Sequence, residues 1–330
     1  MPALPIIAIS VGDPNGIGVE IILKTFSHPE YFERCIPVVY ADLAFMEAQQ
    51  QYFKTSVPLQ WVSDTPKKGV LNVVNVWNKP PTVSFGVQSA DAGNAAFESL
   101  EAAVESVKTN KTDALVTAPI HKASIKSDAF PFAGHTHYLA TKWGGTALMI
   151  LADGALRVAL ATDHIPLKEV ANQLTQPLLK NKLQQLHDSL TKDFGCERPK
   201  IAVLGLNPHA GDQGVIGSED DEIVIPTVKE LANTGMHIAG PFAADGFFGQ
   251  KRYKNFDGVL SCYHDQGLVG FKALAFGKGV NITAGLPFVR TSPDHGTAFD
   301  IAGKGLANEE SFCHAIQLAC TIWQTRQKKS

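Results

Sequence analysis

Five cysteines are all that this 330-residue sequence contains: Cys35, Cys196, Cys262, Cys313 and Cys320, with no C-x-x-C pair among them. An odd, unclustered set argues against both a disulfide framework and a cysteine zinc cage, and it suits a reducing compartment such as the cytoplasm. Charge is also scarce. Asp, Glu, Lys and Arg make up 18% of the chain, below the ~25% of an average globular protein, which argues against disorder and against a solvated coiled coil. With 29 Lys and Arg against 32 Asp and Glu, the net charge is −3. The basic excess or stripe of a nucleic-acid binder is missing, and the only basic run is Arg326, Lys328 and Lys329. No apolar run approaches the ~18 residues of a membrane span. The opening Met1-Pro2-Ala3-Leu4-Pro5 has no basic segment, so no signal peptide is expected.

What is present is a repeating alternation. Short β-branched runs at 6–10, 37–40, 72–76, 114–116, 147–151, 157–161, 200–204 and 258–260 predict strands. Between them, amphipathic stretches at 19–26, 43–51, 94–108, 176–192, 221–233 and 309–327 predict helices. Strands alternating with helices imply an α/β protein with a largely parallel sheet covered on both faces. At about 150 residues per domain the length suggests two domains or one large unit. Function in such folds gathers at the carboxyl ends of the strands.

Three histidines satisfy that rule. His164, His209 and His264 each follow an expected strand within a few residues, and they are spaced 45 and 55 residues apart. Each gap accommodates one or two βα units, so a parallel sheet would bring all three imidazoles to one edge. Three neutral imidazoles hold a divalent cation and leave coordination positions open, as catalytic sites do. Asp163 and Asp265 stand beside two of them, and carboxylates commonly orient metal-bound imidazole. The alternative is that each is an ordinary hydrogen-bonding loop residue.

Glycine loops raise the question of phosphate. Gly12-Asp13-Pro14-Asn15-Gly16-Ile17-Gly18 joins the first strand to the first helix, but it fits neither G-x-G-x-x-G nor a P-loop and reads as a tight turn. Gly134-His135-Thr136-His137 opens a helix-like segment at 138–143. Unpaired N–H groups at a helix start suit phosphate, although Thr136 as a simple N-cap is the plainer alternative. Lys272, Lys278, Asn281 and Arg290 lie in the glycine-rich stretch 267–305, which shows few apolar faces. Cations there are either solvated or converge on an anion.

Several runs together are specific: V-G-D-P-N-G-I-G-V-E (11–20), V-T-A-P-I-H-K (116–122), G-H-T-H (134–137), L-N-P-H-A-G (206–211), Y-H-D-Q-G (263–267) and G-L-P-F-V-R-T-S-P-D-H-G-T-A-F-D-I-A-G-K-G (285–305). They resemble the 4-hydroxythreonine-4-phosphate dehydrogenase family, collinearly and over nearly the whole chain. Asn15 and Val19 depart from the family's usual Ala and Pro. The 293–308 stretch is also similar to the H-G-S-A-P-D-I-A-G-K loop of isocitrate and isopropylmalate dehydrogenases, which holds adenosine without a Rossmann fingerprint.

This resemblance implies the two-domain isocitrate/isopropylmalate dehydrogenase architecture, with mostly parallel sheets and the site in the interdomain cleft. It implies a nucleotide-binding domain from residues 1–128 with 270–330, and a metal- and dimer-forming domain at 129–269. It makes His164, His209 and His264 metal ligands, gives His135, Thr136, Lys272, Asn281 and Arg290 to substrate, and places His295, Gly296, Asp300 and Gly303 at the cofactor. Lys272 is the candidate for catalytic proton handling, with a purely electrostatic role as the alternative. The expected reaction oxidises 4-phosphooxy-L-threonine with NAD or NADP and one divalent metal per subunit (zinc, cobalt or magnesium). The resulting β-keto acid decarboxylates to 3-amino-1-hydroxyacetone phosphate, in pyridoxine biosynthesis. The expected assembly is a homodimer with a shared site, His264 completing the partner's metal set. Alternatives are a dehydrogenase of 4-phospho-threonate or 4-phospho-erythronate and, more distantly, a zinc hydrolase.

Overall fold

The computed structural model describes residues 3–328. Met1 and Pro2, and Lys329 of the terminal basic run, lie outside them. In chain order the elements are β1 (Ile6–Ser10), α1 (Gly18–Phe26), β2 (Ile36–Ala41), α2 (Leu43–Phe53), β3 (Leu59–Trp61), β4 (Leu71–Asn75), α3 (Ala90–Lys108), β5 (Ala114–Thr117), α4 (Lys122–Ile125) and α5 (His135–Trp143). They continue with β6 (Leu148–Asp153), β7 (Leu156–Leu160), α6 (Leu167–Gln173), α7 (Gln176–Lys192), β8 (Lys200–Leu204), α8 (Ile225–Asn233), β9 (His237–Phe242) and α9 (Ala244–Gly249). The last are β10 (Gly258–Ser261), α10 (His264–Ala275), β11 (Val280–Ala284), β12 (Val289–Pro293) and α11 (Glu310–Gln327).

Two compact units divide these elements. Of the described residues, the first takes those up to Thr146 together with Leu286–Gln324, and the second takes Ala147–Gly285 and residues 325–328. Within the first unit α5 packs on α3, and within the second β11 pairs with β6.

In the first unit the strands run β3-β4-β2-β1-β5-β12, every neighbouring pair parallel. Parallel strands are covered on both faces and therefore read as continuous apolar runs. Ile7, Ala8 and Ile9 of β1 are accordingly all buried. Helix α3 starts where Ser89 accepts a hydrogen bond from Ala92 N–H, an N-cap that satisfies one of the helix's orphan donors.

The second unit orders its strands β11-β6-β7-β10-β8-β9, with β6 antiparallel to both neighbours and β7, β10, β8 and β9 mutually parallel. Helix α7, capped by Thr175, turns Leu179, Leu183, Leu186 and Leu190 inward at helical spacing, and it packs against β10. Helix α10 packs against β7 and β10.

One expectation is corrected. The 267–305 stretch is not mainly loop: it holds most of α10 and all of β11 and β12. The strand pattern was hidden because β12 buries Arg290, Thr291 and Ser292 among its five residues, polar side chains where periodicity seeks apolar ones. No helix among the described residues is long and apolar enough to cross a membrane.

Candidate active site

The histidine edge belongs to the second unit. His164, His264 and His209 follow β7, β10 and β8, which are consecutive parallel neighbours in that order. Adjacent strands lie about 4.8 Å apart, so the sequence spacing delivers the three loops to one edge, with His264 in the middle. The rings of His164 and His264 have centroids 5.5 Å apart. They line a cavity of about 320 Å³ together with Asp163, Tyr263 and Asp265. His264 Nδ1 is 2.7 Å from Asp265 Oδ1; an Nδ1–H donated there leaves Nε2 as the ring's coordinating atom. Asp163 Oδ1 accepts from His164 N–H at 2.6 Å.

His209 is held differently. It begins a run of six residues with positive φ, from His209 (53°) through Ala210, Gly211, Asp212 and Gln213 to Gly214 (85°). The left-handed conformation costs about 1–2 kcal/mol for each of the four non-glycine residues, so the turn persists only because its surroundings hold it. Asp220, fully buried, accepts Leu206 N–H at 2.8 Å on one oxygen and Asn207 N–H at 2.9 Å on the other. Asn207 in turn donates to Glu219 Oε2 at 2.8 Å, a bond that holds the Glu219 carboxyl below its ordinary pKa. Gly205 completes the support: a Cβ there would lie 2.8 Å from both Cα and Cβ of Ala210. Among the described residues no three imidazole, thiol or carboxylate groups are gathered closely enough to hold a metal ion.

The anion candidates His135 and Arg290 belong to the first unit. Arg290, on β12, is only 3% exposed, and its Nη2 donates to Thr117 Oγ1 at the end of β5 at 2.6 Å. Burial alone draws its pKa down to about 9, a cost that a bound anion would offset. His135 is the first residue of α5, and its Nε2 is buried with no hydrogen-bond partner. Burial first, then the charges of Arg290 and Lys122, push its pKa well below the ordinary imidazole value. A neutral His135 beside two cations is ready to donate to an anionic oxygen rather than to carry charge itself. Thr136 is not the N-cap: Gly134 occupies that position with no side-chain cap, which leaves the first-turn N–H groups of α5 without a side chain of their own to satisfy them.

The 293–308 loop is also anchored within the first unit. Thr297 O accepts from Ile17 N–H at 3.1 Å, the His121 ring stacks on Phe299 at 5.1 Å, and Glu20 Oε1 accepts from Ala307 N–H at 2.9 Å. Of the four cofactor candidates, His295 bonds Gly296 O through Nδ1, the Asp300 carbonyl accepts from Lys304, and the Gly303 carbonyl accepts from Tyr52. Gly296 itself faces open space. The tight first turn reads as expected, with Gly12 at φ 71° pressed against the Pro119 carbonyl, where any Cβ would collide at 2.2 Å. Lys272 stands exposed in the last turn of α10, and Asn281 on β11 keeps a buried Oδ1 with no hydrogen-bond partner.

The model of the pyridoxal phosphate biosynthetic protein PdxA family matches residues 33–319. A 4-hydroxythreonine-4-phosphate dehydrogenase of Bacteroides thetaiotaomicron is 47% identical over 327 residues, 98% of this chain and 90% of that protein. This chain belongs to the PdxA family.

A crystal structure of the 4-hydroxythreonine-4-phosphate dehydrogenase of Klebsiella pneumoniae superposes with a TM-score of 0.85 at 35% identity, covering 97% of this chain and 98% of that one. An isocitrate dehydrogenase of Methylococcus capsulatus, 14% identical with a TM-score of 0.50 over 96% of this chain and 84% of its own, shares the fold. A dehydrogenase of the PdxA family uses a nicotinamide cofactor and a divalent metal, and the donor set here suits such a metal: neighbouring imidazoles, one of them with a carboxylate on its Nδ1. Sequence reasoning passed over the residues that hold these groups in place. Thr117, Lys122, Asn207 and Gln266 lie inside the motifs V-T-A-P-I-H-K, L-N-P-H-A-G and Y-H-D-Q-G and were within reach, whereas nothing local marked Asp220.

Proposed function

We propose that this PdxA-family protein oxidises the secondary alcohol of 4-phosphooxy-L-threonine with NAD⁺, giving a β-keto acid that loses CO₂ to yield 3-amino-1-hydroxyacetone phosphate. The observation that carries the reading is the buried Arg290–Thr117 pair beside a neutral His135 at the open start of α5. Those buried donors call for a multiply charged oxyanion, and the substrate offers phosphate and carboxylate.

In this reading the α5 N-terminus, His135 and Thr136 take the phosphate, and Arg290 meets an anionic oxygen through its fixed guanidinium. Arg290 is preorganised, because Thr117 already fixes its rotamer. Asn281 offers its Oδ1 to a donor group of the substrate, and Lys272 receives the alcohol proton as the hydride departs. His164, His209 and His264 hold the metal; Asp265 and Asp163 orient two of them. When bound, a divalent cation lowers an alcohol's pKa and stabilises charge on its oxygen, and nicotinamide accepts the hydride. His295, Gly296, Asp300 and Gly303 hold the nucleotide on a loop whose anchors lie in the first unit. Imidazole donors favour zinc or cobalt over magnesium. The working form is a homodimer in the cytoplasm whose metal site borrows a histidine across the two-fold axis. All five cysteines are free thiols, which suits a reducing compartment.

The test is parallel NADH-forming assays of the metal-loaded protein with 4-phosphooxy-L-threonine, 4-phospho-threonate and 4-phospho-erythronate. The amino-acid phosphate should exceed both sugar acids in kcat/KM by at least about a hundredfold, since a site built for an ammonium leaves polar groups unpaired with a hydroxyl. A sugar-acid phosphate turning over faster would replace this substrate assignment.

A further inference from the structure

The tight turn between β1 and α1 carries one side chain that reaches a distant part of the sequence. Asn15, only 1% exposed, lies against residues 84–89, in the stretch that joins β4 to α3 without helix or strand. Its Oδ1 accepts Ser84 N–H at 2.7 Å, and its Nδ2 donates to Val87 O at 2.8 Å and to Ser89 Oγ at 3.4 Å. The Asn15 backbone carbonyl accepts Gly86 N–H at 2.8 Å. A side-chain amide presents the same donor and acceptor as a peptide group, so Asn15 grips this irregular segment much as a neighbouring strand would. The segment in turn presses on the 293–308 loop. A Cβ on Gly86 would lie 2.7 Å from Phe299 O, and a Cβ on Gly303 would lie 2.4 Å from the Phe85 ring. Phe85, half-buried, packs on Tyr52 and Phe53 with ring centroids 5.1 and 5.7 Å away, and Tyr52 donates its hydroxyl to Gly303 O at 3.1 Å. The 299–303 part of the loop thus leans on a segment with no regular structure of its own, and that segment hangs on Asn15.

We propose that Asn15 is a positioning residue for the nucleotide: through Gly86 and Phe85 it holds the 299–303 part of the loop in the conformation that takes the cofactor. The proposal rests on the reading of 293–308 as the nucleotide site. The physics is preorganisation. A loop containing Gly296, Gly303 and Gly305 loses much conformational freedom when it is fixed. If it is ordered for only a fraction of the time, the apparent Kd rises by the reciprocal of that fraction. Release of 84–87 would take Phe85 off Gly303 and lower that fraction. Neither Asn15 nor Phe85 is assigned to the reacting atoms, so the loss should fall on nucleotide affinity and not on turnover once the nucleotide is bound. Asn15→Ala removes the three side-chain bonds and leaves the backbone bond to Gly86. Phe85→Ala keeps the grip and removes the ring that it positions.

The test is titration of the zinc-loaded full-length protein with NADH, followed by the fluorescence of the nucleotide, beside KM for NAD⁺ and kcat in the NADH-forming assay. Wild type, Asn15→Ala, Phe85→Ala, the two combined, and His295→Ala with Asp300→Ala are compared, with the melting temperature of each as the folding control. Each single variant should weaken NADH binding about tenfold, as for a loop ordered about a tenth of the time. KM for NAD⁺ should rise in step while kcat stays within about twofold of wild type. The combined variant should be little worse than the more damaging single, because both substitutions act through one contact; a fully additive loss would overturn the route through Phe85. If Asn15→Ala does not fold, Phe85→Ala decides. NADH affinity within about twofold of wild type in the variants that fold, or a loss confined to kcat, would overturn the role of Asn15, with His295→Ala/Asp300→Ala still losing the nucleotide. Absence of NADH binding by wild type, or undiminished binding by His295→Ala/Asp300→Ala, would overturn the nucleotide reading and the proposal with it.

Discussion

In the first unit the side chains proposed to meet an anion are already fixed. Arg290 is buried and tied to Thr117, and His135 is held neutral at the head of α5. In the second unit the histidines stand at loops, His164 and His209 exposed, with one of them on a strained turn and no third donor gathered beside the other two among the described residues. The contrast follows from charge. A guanidinium and an imidazole can be buried by hydrogen bonds to a hydroxyl and by nearby backbone, at the cost of lowered pKa values. A cluster of imidazole lone pairs attracts nothing until a cation arrives, so it is kept open and is held indirectly, by Asp220 and Asn207. The first region should respond to substitution chiefly in substrate use, the second chiefly in metal affinity.

Removing the phosphate should cut turnover severely. 4-Hydroxy-L-threonine lacks the dianion for which the first-unit pocket is proposed, and the binding energy of that remote group aligns the reacting carbon. kcat/KM should fall by at least about a thousandfold relative to the phosphorylated substrate. Turnover of the two within tenfold of each other would show that the buried pocket is not the phosphate site.

Metal removal comes next. Chelation should abolish turnover, and His209→Ala should lose the bound ion while melting as a folded protein; full activity of stripped protein would contradict the assignment. Mixing His209→Ala with His264→Ala sharpens the point. If the site draws these two histidines from different subunits, random pairing makes half the dimers mixed, each with one intact site, and activity returns to roughly a quarter of wild type. No recovery after demonstrated subunit exchange would place both in one chain's site.

A smaller effect is expected at Asp220. Asp220→Ala strands the N–H groups of Leu206 and Asn207, each a loss of about 1–3 kcal/mol when buried. Urea unfolding should lower stability by several kcal/mol, and Co²⁺ affinity should fall even where the variant folds. A variant with unchanged stability and affinity would mean that the left-handed turn holds itself.

The smallest effect is a pH dependence in the first unit. The folded pKa of His135 is depressed below its unfolded value, so the unfolded chain binds the proton first as pH falls. Its contribution is therefore intact above the ordinary imidazole pKa, near 6.5, and stability is lost progressively as pH drops below it toward the depressed folded value. His135→Gln should flatten that part of the stability profile between about pH 6.5 and 5. An unchanged profile would mean that His135 is not held neutral by the fold.

How much of this was legible in the sequence follows the same division. The strand-end histidines could be placed because β7, β8 and β10 are clean apolar runs and parallel strands end at one edge. Strand β12 could not, since buried Arg290, Thr291 and Ser292 erase its periodicity, and the last turn of α10 merged into the same glycine-rich stretch. The helix start at His135 was found, but its cap was not, because Gly134 caps without a side chain. The Asp220 support was invisible for a simpler reason: it acts on backbone 13 and 14 residues away, and no local pattern records such a contact.

The central claim, a metal-dependent oxidative decarboxylation of a phosphorylated amino acid, is tested most directly by measuring NADH and CO₂ together. Stripped protein reloaded with zinc or cobalt and supplied with NAD⁺ and 4-phosphooxy-L-threonine should release the two in equal amounts, and the stripped protein should release neither. CO₂ without NADH, or equal release with and without the metal, would contradict the account.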